Sequence, residues 1–288
     1  MNALQIVKTF SFASIQDMGR PGFRHFGIPT SGFLDPASAI NANLQCGNPY
    51  DFPLIEFYFT SPIFKVLNPC VIGIGSLGHS VLKNNTLLHE DVLQLENGDQ
   101  FQVVLEKGVW GYIAVEGGLQ CKSAFGSHSY YPGLGLDDHA IVKSQKIAVH
   151  SSLKRNAVTH SRINQSYRDS HSIDVIEGPE FDELNKNEKE ILLGSTYTIL
   201  GDSNRMATLC ISSNSLHFNR EMVSGPVYPG TVQLPSSGKP MILMNDSQVS
   251  GGYPRVLIVR KNFLPVLAQK RAGEQFVFNR VSWLQPYL

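Results

Sequence analysis

At 288 residues, 42% hydrophobic and 17% charged, the chain has the length and composition of one large or two ordinary globular domains, not of a disordered polymer. Lysine plus arginine and aspartate plus glutamate both number 24, so the formal charge is zero and the basic footprint of a nucleic-acid binder is excluded. The longest uncharged run, residues 66–82, is broken by Asn68, Pro69, His79 and several glycines, which excludes a membrane-spanning helix there.

In chain order, the first feature is an irregular stretch at residues 15–35, IQDMGRPGFRHFGIPTSGFLD. Six backbone-bending residues (Gly19, Pro21, Gly22, Gly27, Pro29, Gly32) interleave with Asp17, Arg20, Arg24, His25, Ser31 and Asp35. Glycines that allow positive φ beside prolines that restrict it predict a loop held in one conformation. Such a loop loses little entropy when its side chains engage a ligand. Asp35 followed by Pro36 predicts a helix start, with the helix stopping at Gly47. Short β-branched or aromatic runs follow, from LIEFYF (54–59) through CVIGIG, FQVVLE, GYIAVEG, SIDVI, TYTIL and ATLCI to RVLIV (255–259), bounded by Gly, Pro or Asn. A second helix is expected within 180–194, ending at Gly194, and a short third over 262–273, ending at Gly273. Many strands with few helices predict an antiparallel sandwich or barrel.

GIGSLG (73–78) matches a dinucleotide fingerprint, but Asn84–Asn85 interrupts any following helix and predicts a hairpin, so the glycines are read as strand and turn. No phosphate-loop, zincin or nucleophile-elbow pattern occurs, and the nine histidines show no metal-ligand spacing, so no metal is expected. NGDQFQV (97–103) and IPTSG (28–32) echo AGEQFVF (272–278) and LPSSG (234–238), as a duplication or as chance turn matches. The most polar stretch, 151–172, divides the chain into expected halves at 1–160 and 161–288. Cys46, Cys70, Cys121 and Cys210 form no C-x-x-C pair, Lys8 interrupts the weakly apolar start, and no small-residue cleavage site follows. Reduced thiols and a cytoplasmic protein are expected.

The stretch at 15–35, followed by NANLQCGNP and IEF, resembles the start of the allophanate hydrolase subunit 2 family, also called the KipA or "biotin-dependent carboxyltransferase" family. The resemblance continues through AVEGGL, FGSHS (125–129), SNRM (203–206), PGTVQLPSSGKPMIL and NDSQVSGGYPRV (245–256). It implies cyclophilin-like β-barrels, two barrel-like halves with a few short helices. It also implies the C subunit of an ATP-dependent 5-oxoprolinase, a cyclic-amide hydrolase opening 5-oxoproline to L-glutamate. A KipI-like B subunit would be the direct partner, and the A subunit would join the working complex. ATP with Mg would serve the complex, with no cofactor bound by this chain. The alternatives are a carboxyltransferase component of a biotin-dependent urea or amide carboxylase, and a non-catalytic binding protein antagonising a kinase inhibitor. The chain departs from the family's pattern at His128, where arginine is usual, at Val249 and Ser250, where threonines are usual, and at Ala207.

Against this background Asp17 or His25 is the expected general base and Arg20 or Arg205 the charge clamp; Asp17 and Arg20 are alternatively a pair that fastens the loop. Glu56, in an apolar run, is either a partner for Arg20 or Arg24 or a site carboxylate. In 244–254, Asp246 and Gln248 would share one face of an extended segment, and Gly251 and Gly252 would admit an anion or carbonyl. The alternative is a strand end and hairpin turn. Ser31, Glu56, Ser127, Arg205, Asp246, Gln248, Gly251, Gly252 and Tyr253 complete the expected substrate-binding set. Both segments are expected to contribute to one pocket.

Overall fold

The computed structural model describes residues 2–150, 170–216 and 222–282, so most of the polar stretch expected to hold the boundary lies outside the described residues. The chain divides into two compact units, Met1–Pro21 with Ser31–Gln165, and Gly22–Thr30 with Ser166–Leu288. The opening stretch is therefore split: Asp17, Arg20 and Ser31 belong to the first unit, Arg24 and His25 to the second.

The first unit contains β1 (Asn2–Lys8), β2 (Ala13–Gln16), α1 (Pro36–Gln45), β3 (Leu54–Tyr58), β4 (Ile63–Val66), β5 (Cys70–Gly75), β6 (Gly78–Lys83), β7 (Thr86–Leu88), β8 (Val92–Leu95), β9 (Gln100–Lys107), β10 (Trp110–Val115) and β11 (Lys146–Ala148). They form a six-stranded sheet, β11-β1-β4-β9-β6-β7, and a five-stranded sheet, β2-β3-β10-β5-β8. One apolar core joins them, with Leu4, Phe64, Phe101 and Val103 from the first and Ile55, Phe57, Ile72 and Ile113 from the second. Strand alternation then decides the opposite face of the five-stranded sheet: Glu56, Gly73, Gly75 and Tyr112 point away from that core. Helix α1 covers this face, lying on β5 and β10. A Cβ at Gly75 would stand 1.8 Å from the Ser38 carbonyl, and one at Gly73 2.2 Å from that of Ala42. The glycines of the apparent dinucleotide motif are thus where a helix backbone touches a sheet. Asn84 and Asn85 have φ of 48° and 66° and close the β6–β7 hairpin as expected. Asp35 caps α1, accepting from Ser38 N at 3.2 Å and Ser38 Oγ at 2.7 Å.

The second unit holds β12 (Ser172–Glu177), α2 (Lys186–Gly194), β13 (Thr196–Ile199), β14 (Ala207–Ser212), β15 (Gly225–Pro226), β16 (Thr231–Gln233), β17 (Met241–Leu243), β18 (Ser250–Gly251), β19 (Arg255–Val259), α3 (Leu264–Gln269) and β20 (Gln275–Arg280). Seven strands close into a barrel, β12-β19-β16-β17-β14-β13-β20, sealed by a parallel β12–β20 pair. Closure leaves no free edge, and buried Ile173, Tyr197, Val232, Ile242, Leu257 and Phe276 fill the unit's core. Closure into a barrel is thus realised here, while the first unit solves the same burial problem with two open sheets. Helix α2 starts at a capping box between Asn185 and Glu188 and ends at Gly194, as expected. Helix α3 is shorter than the 262–273 pattern: Pro265 suits only its first turn, and residues 271–274 form a turn in which Gly273 has φ of 89°. The echoed segments match locally, since Gly98 and Gly273 both take positive φ just before a strand. All four cysteines are free. No helix among the described residues is long and apolar enough to cross a membrane.

Candidate functional site

In the first unit, Asp17 organises the loop 124–129. It is 6% exposed. Its Oδ1 accepts from Ser127 Oγ and Ser129 Oγ, both at 2.6 Å, and from Gly19 N at 2.8 Å; its Oδ2 accepts from His128 N at 2.6 Å. The buried Arg20 holds the same loop by its carbonyls, donating through Nη2 to Ser129 O and through Nε to Ala124 O at 3.5 Å. The carboxylate gathers the donors of this loop and the guanidinium its acceptors. The tip is a tight turn in which Phe125 and Gly126 have φ of 53° and 75°. Such a value is rare for a bulky side chain, and Phe125 is held 47% exposed.

A second contact fixes the other arm of the opening stretch. Phe33 N donates to Asp17 O at 2.9 Å, and a Cβ at Gly32 would stand 2.8 Å from Gly19 N. Beside it Ser31 has φ of 54°, is buried, and its Oγ has no hydrogen-bond partner among the described residues. Glu56 accepts from Leu34 N at 3.1 Å and takes the hydroxyl of Tyr112, which itself accepts from Asp35 N at 2.7 Å. That network sits under the start of α1. Burial, then the neighbouring Glu56 and Asp35 charges, push the Tyr112 hydroxyl well above its usual range.

Asp17, Met18 and Gly19 line a cavity of about 620 Å³. Tyr50, Asp51, Phe52 and Pro53 form a second wall, and Leu119, Cys121, Gly126, His128 and His150 complete it. The volume is in the range of small-molecule sites, and aromatic surface with a few polar groups lines it. Cys121 Sγ lies 3.4 Å from His128 Nδ1, and burial, followed by the charges of Asp17 and Asp138, raises the thiol to about 12. Behind the loop, the buried His139 donates from Nδ1 to His128 O at 2.6 Å, and burial lowers its pKa, keeping it neutral. Tyr50, Asp51, Cys121, His128 and His150 were not among the residues expected at a site. Only the turn-forming NPYDF (48–52) hinted at a constrained loop.

In the second unit, Arg205 and Asp246 make a buried bidentate pair, Nε–Oδ2 2.6 Å and Nη2–Oδ1 3.0 Å. The expected clamp is thus engaged by a carboxylate of this chain. Residues 245–246 form a turn, so Asp246 and Gln248 do not alternate along an extended segment; chain reversal after β17 overrides the alternation argument. Gln248 Nε2 donates to Oε1 of the buried Gln233 at 3.2 Å, whose Nε2 donates to Tyr253 O at 3.2 Å. Gly251 pairs with Gly225, and a Cβ there would stand 2.6 Å from Gln233 Nε2. The space beside Gly251, expected to admit an anion, is occupied by that amide. Gly252 and the 47% exposed Tyr253 follow at the surface. Gln233 was missed because glutamine in a strand carries no signal of its own. Arg24 donates through Nη2 to Val227 O at 2.6 Å and Gln248 O at 2.8 Å, and burial lowers its pKa. His25 lies exposed on the same short turn, its ring 3.9 Å from that of Phe26. Asp17 and Asp246 belong to different units. Among the described residues no group of three or more His, Cys, Asp or Glu is placed to hold a metal ion.

The family described as "Carboxyltransferase domain, subdomain A and B" matches residues 26–280. The chain is 28% identical to the C subunit of 5-oxoprolinase from Escherichia coli (strain K12) over 97% of its own length and 91% of that protein's. The corresponding 5-oxoprolinase protein of Haemophilus influenzae gives the same identity and coverage. Urea amidolyase of Saccharomyces cerevisiae is 30% identical over 45% of this chain, corresponding to 7% of that protein. In fold the chain is similar to the crystal structure of TTHA0988 (TM-score 0.86, 24% identity), covering 97% of this chain and 56% of that one. It thus spans little more than half of that solved chain. It is also similar in fold to the K. lactis urea amidolyase (TM-score 0.83, 19% identity), over 97% of this chain and 19% of that one.

Proposed function

This chain belongs to the carboxyltransferase domain family, subdomains A and B, and from that premise we propose that it works as the C subunit of an ATP-dependent 5-oxoprolinase. The complex opens 5-oxoproline to L-glutamate, with the B subunit for direct partner and the A subunit supplying the nucleotide site. The observation that carries this reading is the nearly end-to-end correspondence with two bacterial C subunits.

The chemistry asks for more than binding. A lactam is resonance-stabilised, and phosphorylating its oxygen with ATP makes the ring carbon electrophilic. Water attack and cleavage of the C–N bond then open the ring, and a second water releases the phosphoryl group as phosphate. The task left to this chain is to hold the ring, exclude bulk water and manage protons. The cavity of the first unit fits that task in size and lining. Asp17 lines it, whereas His25 lies on an exposed turn of the second unit, so of the two Asp17 is the one favoured to serve this cavity. Of the two expected clamps, Arg205 has its fork filled by Asp246, and Arg20 donates through Nε and Nη2 to the carbonyls of Ala124 and Ser129.

The experiment is reconstitution with the A and B subunits. ATP-dependent glutamate formation should require this chain, and the chain should co-elute with the B subunit in size-exclusion chromatography. The urea amidolyase match keeps one rival in view, a carboxyltransferase. Carboxyl transfer from carboxybiotin to an amide, without lactam opening, would replace our reading by that one. A protein that pairs with the B subunit yet leaves turnover unaffected would be the non-catalytic antagonist.

A further inference from the structure

We infer that His128 is the proton acceptor of the cavity in the first unit, presenting an unprotonated Nε2 to a lactam or other small amide bound there. The substrate class rests on the proposed 5-oxoprolinase function; the state of the imidazole does not.

The ring geometry leads to this assignment. His128 Nδ1 is 2.6 Å from the Lys122 carbonyl oxygen. A carbonyl only accepts, so Nδ1 carries the proton and the lone pair of the neutral ring stands at Nε2. The residue is held at two further points: its N–H donates to Asp17 Oδ2 and its carbonyl accepts from the buried His139, each at 2.6 Å. A base fixed in one tautomer and one position, on the wall of a cavity sized for a small molecule, is what proton transfer requires. Asp17 then acts through His128 as a positioning residue, which explains why a buried carboxylate spends four hydrogen bonds on one short loop.

The neighbouring thiol does not compete. A cysteine nucleophile would need its proton taken by the imidazole, but Nδ1 already carries a proton aimed at Lys122 O, and a thiol raised to about 12 stays protonated. The acceptor therefore serves water. Nε2 takes one proton as the water oxygen bonds to the activated ring carbon, and returns it to the ring nitrogen as the C–N bond breaks. Asp17, Tyr50, Asp51, Cys121, Lys122, Asp138, His139 and His150 are the titratable groups around the ring and its cavity.

Two measurements test the inference. In the full chain labelled with nitrogen-15 histidine, the signal lost in His128→Asn identifies the residue, and it should show the Nδ1–H tautomer. The Nε2–H tautomer would overturn the assignment whatever the substrate. In the three-subunit complex, His128→Asn places an amide N–H where Nδ1 stood and keeps the bond to Lys122 O. It should leave the melting temperature within a few degrees, lower kcat about a hundredfold or more and abolish the acidic limb of the pH–rate profile. Wild-type turnover, or an unchanged acidic limb, would also overturn it. A wild-type complex that opens no 5-oxoproline defeats the 5-oxoprolinase reading instead, and the tautomer still decides this one.

Discussion

Asp17 in the first unit and Asp246 in the second are buried to nearly the same degree, 6% and 8% exposed, yet they are satisfied in opposite ways. Asp246 meets the guanidinium of Arg205 in a two-pronged ion pair that cancels its charge within one contact. Asp17 is met by two hydroxyls and two peptide N–H groups, all neutral. Its charge survives in the cavity wall, where it helps to raise the Cys121 thiol. The first arrangement is a closed fastening; the second both shapes a loop and sets the electrostatics of a site. Equal burial of a carboxylate therefore says little about its role until its donors are known.

The largest expected effect comes from breaking the ion pair. Arg205→Met leaves the Asp246 carboxylate buried without its partner and should cost about 3–5 kcal/mol in urea unfolding. A loss under about 1 kcal/mol would show that the pair behaves like an exposed one. Asp17→Asn comes next. The amide NH₂ must face either the His128 N–H or a serine hydroxyl, all donors in the native loop, so a loss of roughly 2–3 kcal/mol is expected. In the assembled complex the same variant should cut turnover about a hundredfold. Unchanged turnover with a weakened fold would make Asp17 a loop organiser alone.

Acid should separate the two units. His139 has a folded pKa lowered from 6.5 by burial, so the unfolded chain binds its proton first and the first unit should lose stability as pH falls below about 6.5. Glu180 in the second unit has its pKa lowered from 4.5, chiefly by the side-chain hydrogen bond from Arg255. Its contribution is present above about 4.5 and is lost as pH falls further. Hydrogen exchange between pH 7 and 5 should therefore show the first unit softening earlier, and His139→Gln should remove that early phase. The smallest effect is a gain. Ser31→Gly relieves a positive φ of 54° and should stabilise by about 0.5–1 kcal/mol. A loss would show that the buried hydroxyl has a partner in the working protein.

Much of the fold was legible because its signals are local. Asp35–Pro36 starts a helix, Asn84–Asn85 turns a hairpin and Gly194 ends α2, each a signal confined to a few residues. The end of α3 was misplaced because Gly273, read as the helix stop, instead sits in a separate turn closed between Arg271 and Glu274. The site was legible in its blocks but not in its roles. Arg205 reads as a clamp for a ligand until Asp246, 41 residues later, is seen in its fork. Gly251 reads as an opening until the amide of Gln233 fills it. His128 reads as a departure from a pattern until its ring is seen against Lys122 O.

What the sequence by itself determined is the strand-rich architecture, the helix caps and the family, because propensity, turn chemistry and ordered motif blocks act over short spans. What only the tertiary structure decided is which polar group answers which. Asp17 meets three of its four donors 110 to 112 residues away, Gly73 and Gly75 answer to a helix laid across them, and the segment 22–30 belongs to the second unit. Those pairings are set by strand register and by packing across the sheets. A single chain, read in order, carries no local trace of a partner that folding alone brings within hydrogen-bond distance.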